Sequence, residues 1–174
     1  EKKAVADTIP AGHTATGIAV TPDNSKLYVC NRFNNEVAVF DRAAKKQIAT
    51  IPVIREPHGA VCTPDGSTVF VINHLSLDPA DGFDVAAEVT VINTADNKAQ
   101  NIRLPNGSTN LRGIAISPDG KYVYVPHILA RYQMPTTQLE RGWMNTNALS
   151  IIDAAAKKHV NTVLLDDVDL GAAN

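Results

Sequence analysis

The chain lacks the features of several large classes of protein. Its 174 residues carry a formal net charge of −2 without a basic stripe, so we expect no nucleic-acid binding. No apolar run approaches the roughly 20 residues that a membrane-spanning helix needs, so no membrane span is predicted. Only two cysteines are present, Cys30 and Cys62. Two buried free thiols or a disulfide between neighbouring units both fit this pattern.

Several motifs that carry chemistry are also missing. The sequence has no Gly-x-Ser-x-Gly nucleophile elbow and no phosphate-binding Gly-x-x-x-x-Gly-Lys. It has no Cys-x-x-Cys-His for covalent haem attachment. We therefore expect no cofactor in this chain, with calcium as an exception considered below, and any haem would belong to a partner or to another domain.

One sequence motif occurs three times along the chain, and this repeat indicates the fold. Residues 17–29, 59–71 and 113–125 each read as a short apolar strand, a Ser/Thr-Pro-Asp turn and a second apolar strand. Proline presets φ in such a turn, aspartate caps it, and the following Gly or Asn tolerates positive φ. A repeat of this length indicates an array of one supersecondary unit.

Each unit shows four strand signals, and the strands are nearly continuous apolar runs. Such runs indicate sheets that are covered on both faces. Small four-stranded sheets packed radially around a channel meet this condition, which predicts an all-β fold, the β-propeller. Three blades are predicted at 15–52, 57–104 and 111–165, and residues 1–10 resemble the outermost strand of a further blade. Closed propellers have about 4–8 blades, so we expect the chain to be part of a larger ring, seven-bladed in our interpretation, completed by further sequence or by a second chain.

The units resemble the YVTN-type β-propeller repeat family, whose consensus is a Pro-Asp-Gly turn followed by Tyr-Val-x-Asn. Residues 27–31 read LYVCN and residues 69–73 read VFVIN, whereas the third unit departs with VPH at 125–127. The segment 128–153 is similar to bacterial secreted propellers that are joined to, or lie beside, c-type cytochrome or di-haem peroxidase-like domains. That similarity implies a periplasmic or extracellular location and a redox neighbour.

Candidate binding residues cluster at one face of the predicted propeller. Insertions at 74–87 and 127–147 enlarge the loops between second and third strands, and repeated insertions on one face usually mark the binding face. Thr16, His58 and Arg112 occupy equivalent positions at the start of the innermost strands. Arginine and aromatic side chains are common anchors of recognition surfaces. The predicted partner-binding residues are His58, His74, Arg112, His127, Arg131, Arg141 and Trp143.

Two metal sites are also conceivable on this face. Histidine is a common metal ligand, but the spacing of His58, His74 and His127 matches no ligand signature, and loop histidines bonded to the backbone are the alternative. Asp78, Asp81 and Asp84 surround a glycine, and calcium prefers such oxygen ligands. They lack the full calcium-loop pattern, and a solvated acidic turn is the alternative.

The function that fits these patterns is a non-catalytic binding or scaffold module of the bacterial cell envelope. Its partner would be a c-type cytochrome or peroxidase-like domain that contacts the loop-rich face. One alternative is a hydrolase, because propellers that resemble this one include lactone hydrolases with a rim metal that activates water. Another alternative is a surface-layer or adhesion propeller.

Overall fold

A computed structural model describes residues 4–5, 8–130, 132–133 and 145–166. These residues form three antiparallel sheets, which we call blades 1 to 3. Blade 1 contains β1 (Ala15–Val20), β2 (Lys26–Asn31), β3 (Glu36–Asp41) and β4 (Lys46–Pro52). Blade 2 contains β5 (Pro57–Cys62), β6 (Thr68–Asn73), β7 (Glu88–Asn93) and β8 (Ala99–Arg103). Blade 3 contains β10 (Ala115–Ile116), β11 (Tyr122–Ala130), β12 (Asn145–Asp153) and β13 (Lys158–Leu164), and the short β9 (Ser108–Thr109) pairs with β11.

Each blade is a meander in which consecutive strands pair, so the strand order follows the sequence. The helical structure among the described residues is one 3-10 turn, Arg32–Asn34. The fold is therefore a partial β-propeller, as the repeat predicts. In this part of the chain, no helix is long and apolar enough to cross a membrane.

The Pro-Asp turns hold their shape by side-chain hydrogen bonds. In blade 1, the Asp23 carboxylate accepts from the Thr21 hydroxyl at 2.6 Å and from the Ser25 amide at 3.0 Å. These hydrogen bonds lower the pKa of Asp23 to about 2. Blades 2 and 3 repeat the arrangement with Asp65 and Asp119. The turn chemistry read from the sequence thus fixes where the first two strands of each blade reverse.

The core lies between blades, because each sheet packs one face against the next. Tyr28 and Val39 of blade 1 are buried with Val71 of blade 2, and Phe70 of blade 2 is buried with Val125 of blade 3. Blade 2 is covered on both sides, and all six residues of β6 are buried. In β11, buried and more accessible residues alternate instead, as expected for a strand with one covered face.

The two cysteines are free thiols near the contact between blades 1 and 2. Cys30 is fully buried, and burial raises its pKa to about 12. Cys62 is partly buried, and burial with nearby aspartates raises its pKa to about 11. Both side chains therefore serve as small apolar residues at ordinary pH.

The predicted outer strand at residues 1–10 stays a prediction. Residues 4–5 and 8–10 have no strand assignment, and residues 1–3 and 6–7 lie outside the described residues. Ile9 packs against a small buried cluster on the other face of blade 1, formed by Val29, Ala38 and Phe40. Residues just before blade 1 thus cover part of its otherwise open face.

Candidate functional site

A left-handed residue precedes the innermost strand of every blade. Thr14, Glu56 and Asn110 stand at equivalent positions with φ of 54°, 51° and 58°. Their repetition shows that the chain turns into the channel-lining strand in the same way three times. Two residues later come Thr16, His58 and Arg112, the positions that the repeat predicts to line one rim.

His58 and His74 meet at this rim. Their ring centroids lie 5.7 Å apart with the planes tilted by 36°. His74 is buried, and its Nδ1 lies 3.2 Å from the Leu111 carbonyl, an acceptor that fixes Nδ1 as the protonated nitrogen. The Nδ1 of His58 is buried without a hydrogen-bond partner among the described residues. The structure therefore brings two of the predicted residues together and leaves one ring nitrogen unsatisfied.

Charged side chains surround the histidine pair. The Arg32 guanidinium forms an ion pair with Glu56, at 2.6 Å between Nη2 and Oε2, and both side chains are partly buried. Burial lowers the pKa of His58, and His74, Arg32 and Arg112 lower it further by charge repulsion, against an opposing effect of Glu56. We call Arg32, Glu56, His58, His74 and Arg112 the rim cluster. Arg112 is exposed, and its Nε donates to the Asn110 side chain at 2.9 Å.

His127 does not join the rim cluster. Its ring is 5% exposed and lies within blade 3, where Nε2 is 2.8 Å from the Ser150 hydroxyl and Nδ1 is 3.1 Å from the Ile128 carbonyl. The Ser150 hydroxyl is in turn 2.8 Å from Thr162 Oγ1. His127 was predicted to contact a partner, but its ring is buried in this structure, and both ring nitrogens face groups of its own blade.

The corresponding position in blade 2 has a similar polar row. Asn73 donates to Thr90, and Thr90 donates to Asn101, at 2.9 Å and 2.8 Å. Each row crosses three strands of one sheet and pairs most of its buried polar groups, although Asn73 Oδ1 has no partner among the described residues. The serine and histidine of blade 3 are therefore a structural pair, and Ser150 is fully buried.

The acidic loop of blade 2 is organised by an arginine. Asp78 accepts from Arg103 at 2.8 Å, from the Ala86 amide at 3.0 Å and from the Ser76 hydroxyl at 2.8 Å. These hydrogen bonds, that of Arg103 above all, lower the pKa of Asp78 to about 2. Asp81 and Asp84 are exposed. Within the described ranges, no three His, Cys, Asp or Glu side chains form a group that could hold a metal ion.

A second set of contacts ties this loop to blade 3. The Tyr132 hydroxyl donates to the Phe83 carbonyl at 2.8 Å and accepts from the Val85 amide at 3.0 Å. The Val85 amide also lies 2.9 Å from Asn106 Oδ1, and the Gly107 amide donates to the Val85 carbonyl at 2.8 Å. We call this set the loop clamp. It joins the predicted insertion at 127–147, through Tyr132, to the predicted insertion at 74–87.

Gly107 is required by the close approach of these segments. Its φ is 88°, and a Cβ there would lie 2.1 Å from the Ala130 carbonyl oxygen. The amide of Ala130 donates to the Gly107 carbonyl at 2.8 Å. A side chain at this position would therefore displace β11 from the loop clamp.

Three predicted partner-binding residues, Arg131, Arg141 and Trp143, lie outside the described residues. The sequence reasoning missed Arg103 and Asn106, which organise the same face. Their contacts span 15 to 26 positions, so no local motif indicates them. The Asn-Gly step at 106–107 was the one available signal, because it marks a turn with positive φ.

Comparison with known proteins relates the chain to propellers. Residues 1–78 match the family described as lactonase, 7-bladed beta-propeller. Hydrazine synthase subunit beta of Kuenenia stuttgartiensis is 33% identical over 81 residues, which are 47% of this chain and 21% of that protein. The chain thus spans about a fifth of the length of this curated relative.

Two solved structures align with the chain. Kuenenia stuttgartiensis hydrazine synthase aligns with a TM-score of 0.49 and 28% identity, over 88% of this chain and 55% of that one. A eukaryotic initiation factor aligns with a TM-score of 0.59 and 11% identity, over 90% of this chain and 33% of that one. The second likeness concerns the fold alone. The strand topology and the family match together identify the chain as part of a β-propeller.

Proposed function

We propose that this chain belongs to a non-catalytic propeller module of the bacterial cell envelope, of the YVTN type, that binds a redox protein through its loop-rich face. The partner would be a c-type cytochrome or a peroxidase-like domain. The single observation that carries the proposal is the similarity to a protein named as one subunit of an enzyme, hydrazine synthase. A subunit presents a surface to other chains by definition.

The geometry of the loop-rich face supports the same function. The loop clamp holds loops of two blades together by hydrogen bonds at Tyr132 and Asn106. Loops that are ordered before binding lose less conformational entropy when a partner docks. The rim cluster lies at the start of the innermost strands and adds charged groups to this face.

Purification of the tagged full-length protein from its native cells tests the proposal. The sample would be examined by native and denaturing mass spectrometry and by haem absorbance. A stoichiometric complex with a haem protein is expected. A full-length protein that purifies without any partner, and without haem absorbance, would refute the proposed function.

A lactone hydrolase is the second candidate, because the matched family is named for lactonase and its match includes His58 and His74. The contact of His74 Nδ1 with the Leu111 carbonyl leaves Nε2 free to ligate a metal. Further ligands would come from blades beyond this chain or from water. Metal analysis of the full-length protein and lactone hydrolysis before and after chelation distinguish the candidates. A His58→Ala/His74→Ala variant that retains the metal and the activity would exclude this site.

A further inference from the structure

Phe83 combines an exposed ring with an immobilised backbone. Its side chain is 84% exposed. Its carbonyl accepts hydrogen bonds from the Tyr132 hydroxyl, the Gln133 side-chain amide and the Asn106 side-chain amide. A free loop would let a large aromatic ring turn inward, because burial of its apolar surface is favourable. Here three side chains from outside the loop hold its backbone while the ring remains in water.

The loop on both sides of Phe83 is also constrained. The Gly82 amide donates to the Pro79 carbonyl at 2.9 Å and closes a turn before the ring. After it, Arg103 Nη2 donates to the Asp84 carbonyl at 3.2 Å and pairs with Asp78 at 2.8 Å. Such a loop presents its aromatic side chain with little entropy left to lose on binding. Aromatic residues with these properties are typical binding hot spots.

The charges beside the ring restrict the kind of partner. Asp81 and Asp84 flank Phe83 in sequence, and both are exposed. The guanidinium of Arg103 faces Asp78 and Glu88, so it is already paired. Leu77, at 66% exposure, adds a second apolar side chain to the same insertion. The surface therefore consists of exposed apolar side chains with exposed carboxylates beside them. Such a surface favours a partner whose contact patch has an apolar centre surrounded by lysine or arginine.

We infer that the Phe83 loop, residues 78–86, is the docking point for a protein whose apolar contact patch is rimmed by basic side chains. The inference rests on the proposed function, because it names the anchor and the charge of the partner at the same face. It assigns the main contact to a loop of blade 2 whose carboxylates the sequence analysis considered as a cation site or a solvated acidic turn.

Site-specific photo-crosslinking in the full-length protein tests this inference. Phe83 would be replaced by the photoreactive residue benzoylphenylalanine, and the crosslinked peptide would be sequenced. Ile48, which is exposed on β4 away from the insertions, gives the matched control position. We expect a crosslink from position 83 to a different protein, in a peptide with apolar residues flanked by Lys or Arg, and none to that peptide from position 48. A crosslink from position 83 to a second copy of this chain, or to another blade of the same protein, would overturn the inference.

Affinity measurements with the partner identified in that way separate the two proposals. Phe83→Ala is expected to weaken binding by about thirtyfold, the scale of a hot-spot residue. Asp81→Asn/Asp84→Asn should weaken it less and should reduce its dependence on salt. If the wild-type protein has a partner that these variants bind with unchanged affinity, the docking inference fails while the proposed function stands. If the wild-type protein has no partner, the proposed function itself fails.

Discussion

Gly120→Ala is predicted to loosen the contact between blades 2 and 3. Gly120 follows the Pro-Asp pair of blade 3 with a φ of 72°, and a Cβ there would lie 2.9 Å from Pro64 Cδ and 3.2 Å from Pro64 Cγ. The left-handed conformation costs a non-glycine residue about 1–2 kcal/mol. The proline ring is rigid, and forcing an atom into such a contact typically costs about 1–3 kcal/mol. The expected loss in the free energy of unfolding is therefore about 2–5 kcal/mol.

Equilibrium urea unfolding of the full-length protein, followed by circular dichroism, measures this loss. Gly120→Asn separates its two causes, since asparagine tolerates positive φ and Asn24 already occupies the equivalent position in blade 1 with a φ of 60°. Asparagine should remove most of the conformational cost but keep the contact with Pro64. Gly66→Asn is the matched control, because a Cβ at Gly66 meets Pro22 Cδ at 3.2 Å, a milder contact. If Gly120→Asn leaves stability unchanged, the two turns do not pack as tightly as the structure shows, and the reasoning is refuted.

Three further predictions concern buried polar groups and pH. Ser150→Ala should cost about 1–3 kcal/mol by leaving His127 Nε2 unpaired, whereas Ser150→Thr keeps the hydroxyl and should cost less in the same urea assay. Burial lowers the pKa of His127, so as the pH falls the unfolded chain binds a proton at this histidine before the folded chain does. The free energy of unfolding should therefore decrease as the pH drops below about 6.5. The decrease should be smaller in His127→Asn, as measured by unfolding curves at a series of pH values. The pKa of Asp78 is lowered to about 2, so its contribution is complete above about pH 4 and is lost as the pH falls through about 2. Asp78→Asn should therefore flatten the acid limb of the stability curve, and an unchanged limb would contradict the ion pair with Arg103.

The fold could be predicted from the sequence because its signals are local and repeated. Each Ser/Thr-Pro-Asp turn makes its own hydrogen bonds within five positions, as Thr21, Asp23 and Ser25 do. Three copies of the same turn then define three equivalent strand pairs. No local or repeated sequence motif indicates the contacts between loops, so the sequence analysis did not predict the loop clamp.

His127 shows how a shift of one position along a strand changes the face to which a side chain points. Counted from the proline of each turn, His127 is equivalent to Asn73, and Ile128 is equivalent to His74. Successive side chains of a strand point to opposite faces, so a shift of one residue moves a side chain to the other face. His58 and His74 were expected on one rim, and their rings do lie near each other. His58 lies at the start of β5, and His74 directly follows β6.

The acidic loop illustrates a different limit of sequence reasoning. Three carboxylates around a glycine are compatible with a cation loop or with a solvated turn, and the partner that Asp78 has in the structure is a residue far along the chain. Arg103, on β8, occupies Asp78 with an ion pair at 2.8 Å. Only the pairing of β7 with β8, in which Glu88 lies opposite Arg103, brings that guanidinium to the loop.

Blade 2 packs against blades 1 and 3 and carries the Phe83 loop. Its strand β6 is fully buried, so the segments on either side of the 74–87 insertion are fixed by the core. The Phe83 ring itself contributes little to that core because it is mostly exposed. A change at Phe83 should therefore alter recognition without altering the stability of the propeller, whereas a change at Arg103 should release the loop and affect both. This separation follows from a rigid blade that holds an ordered loop.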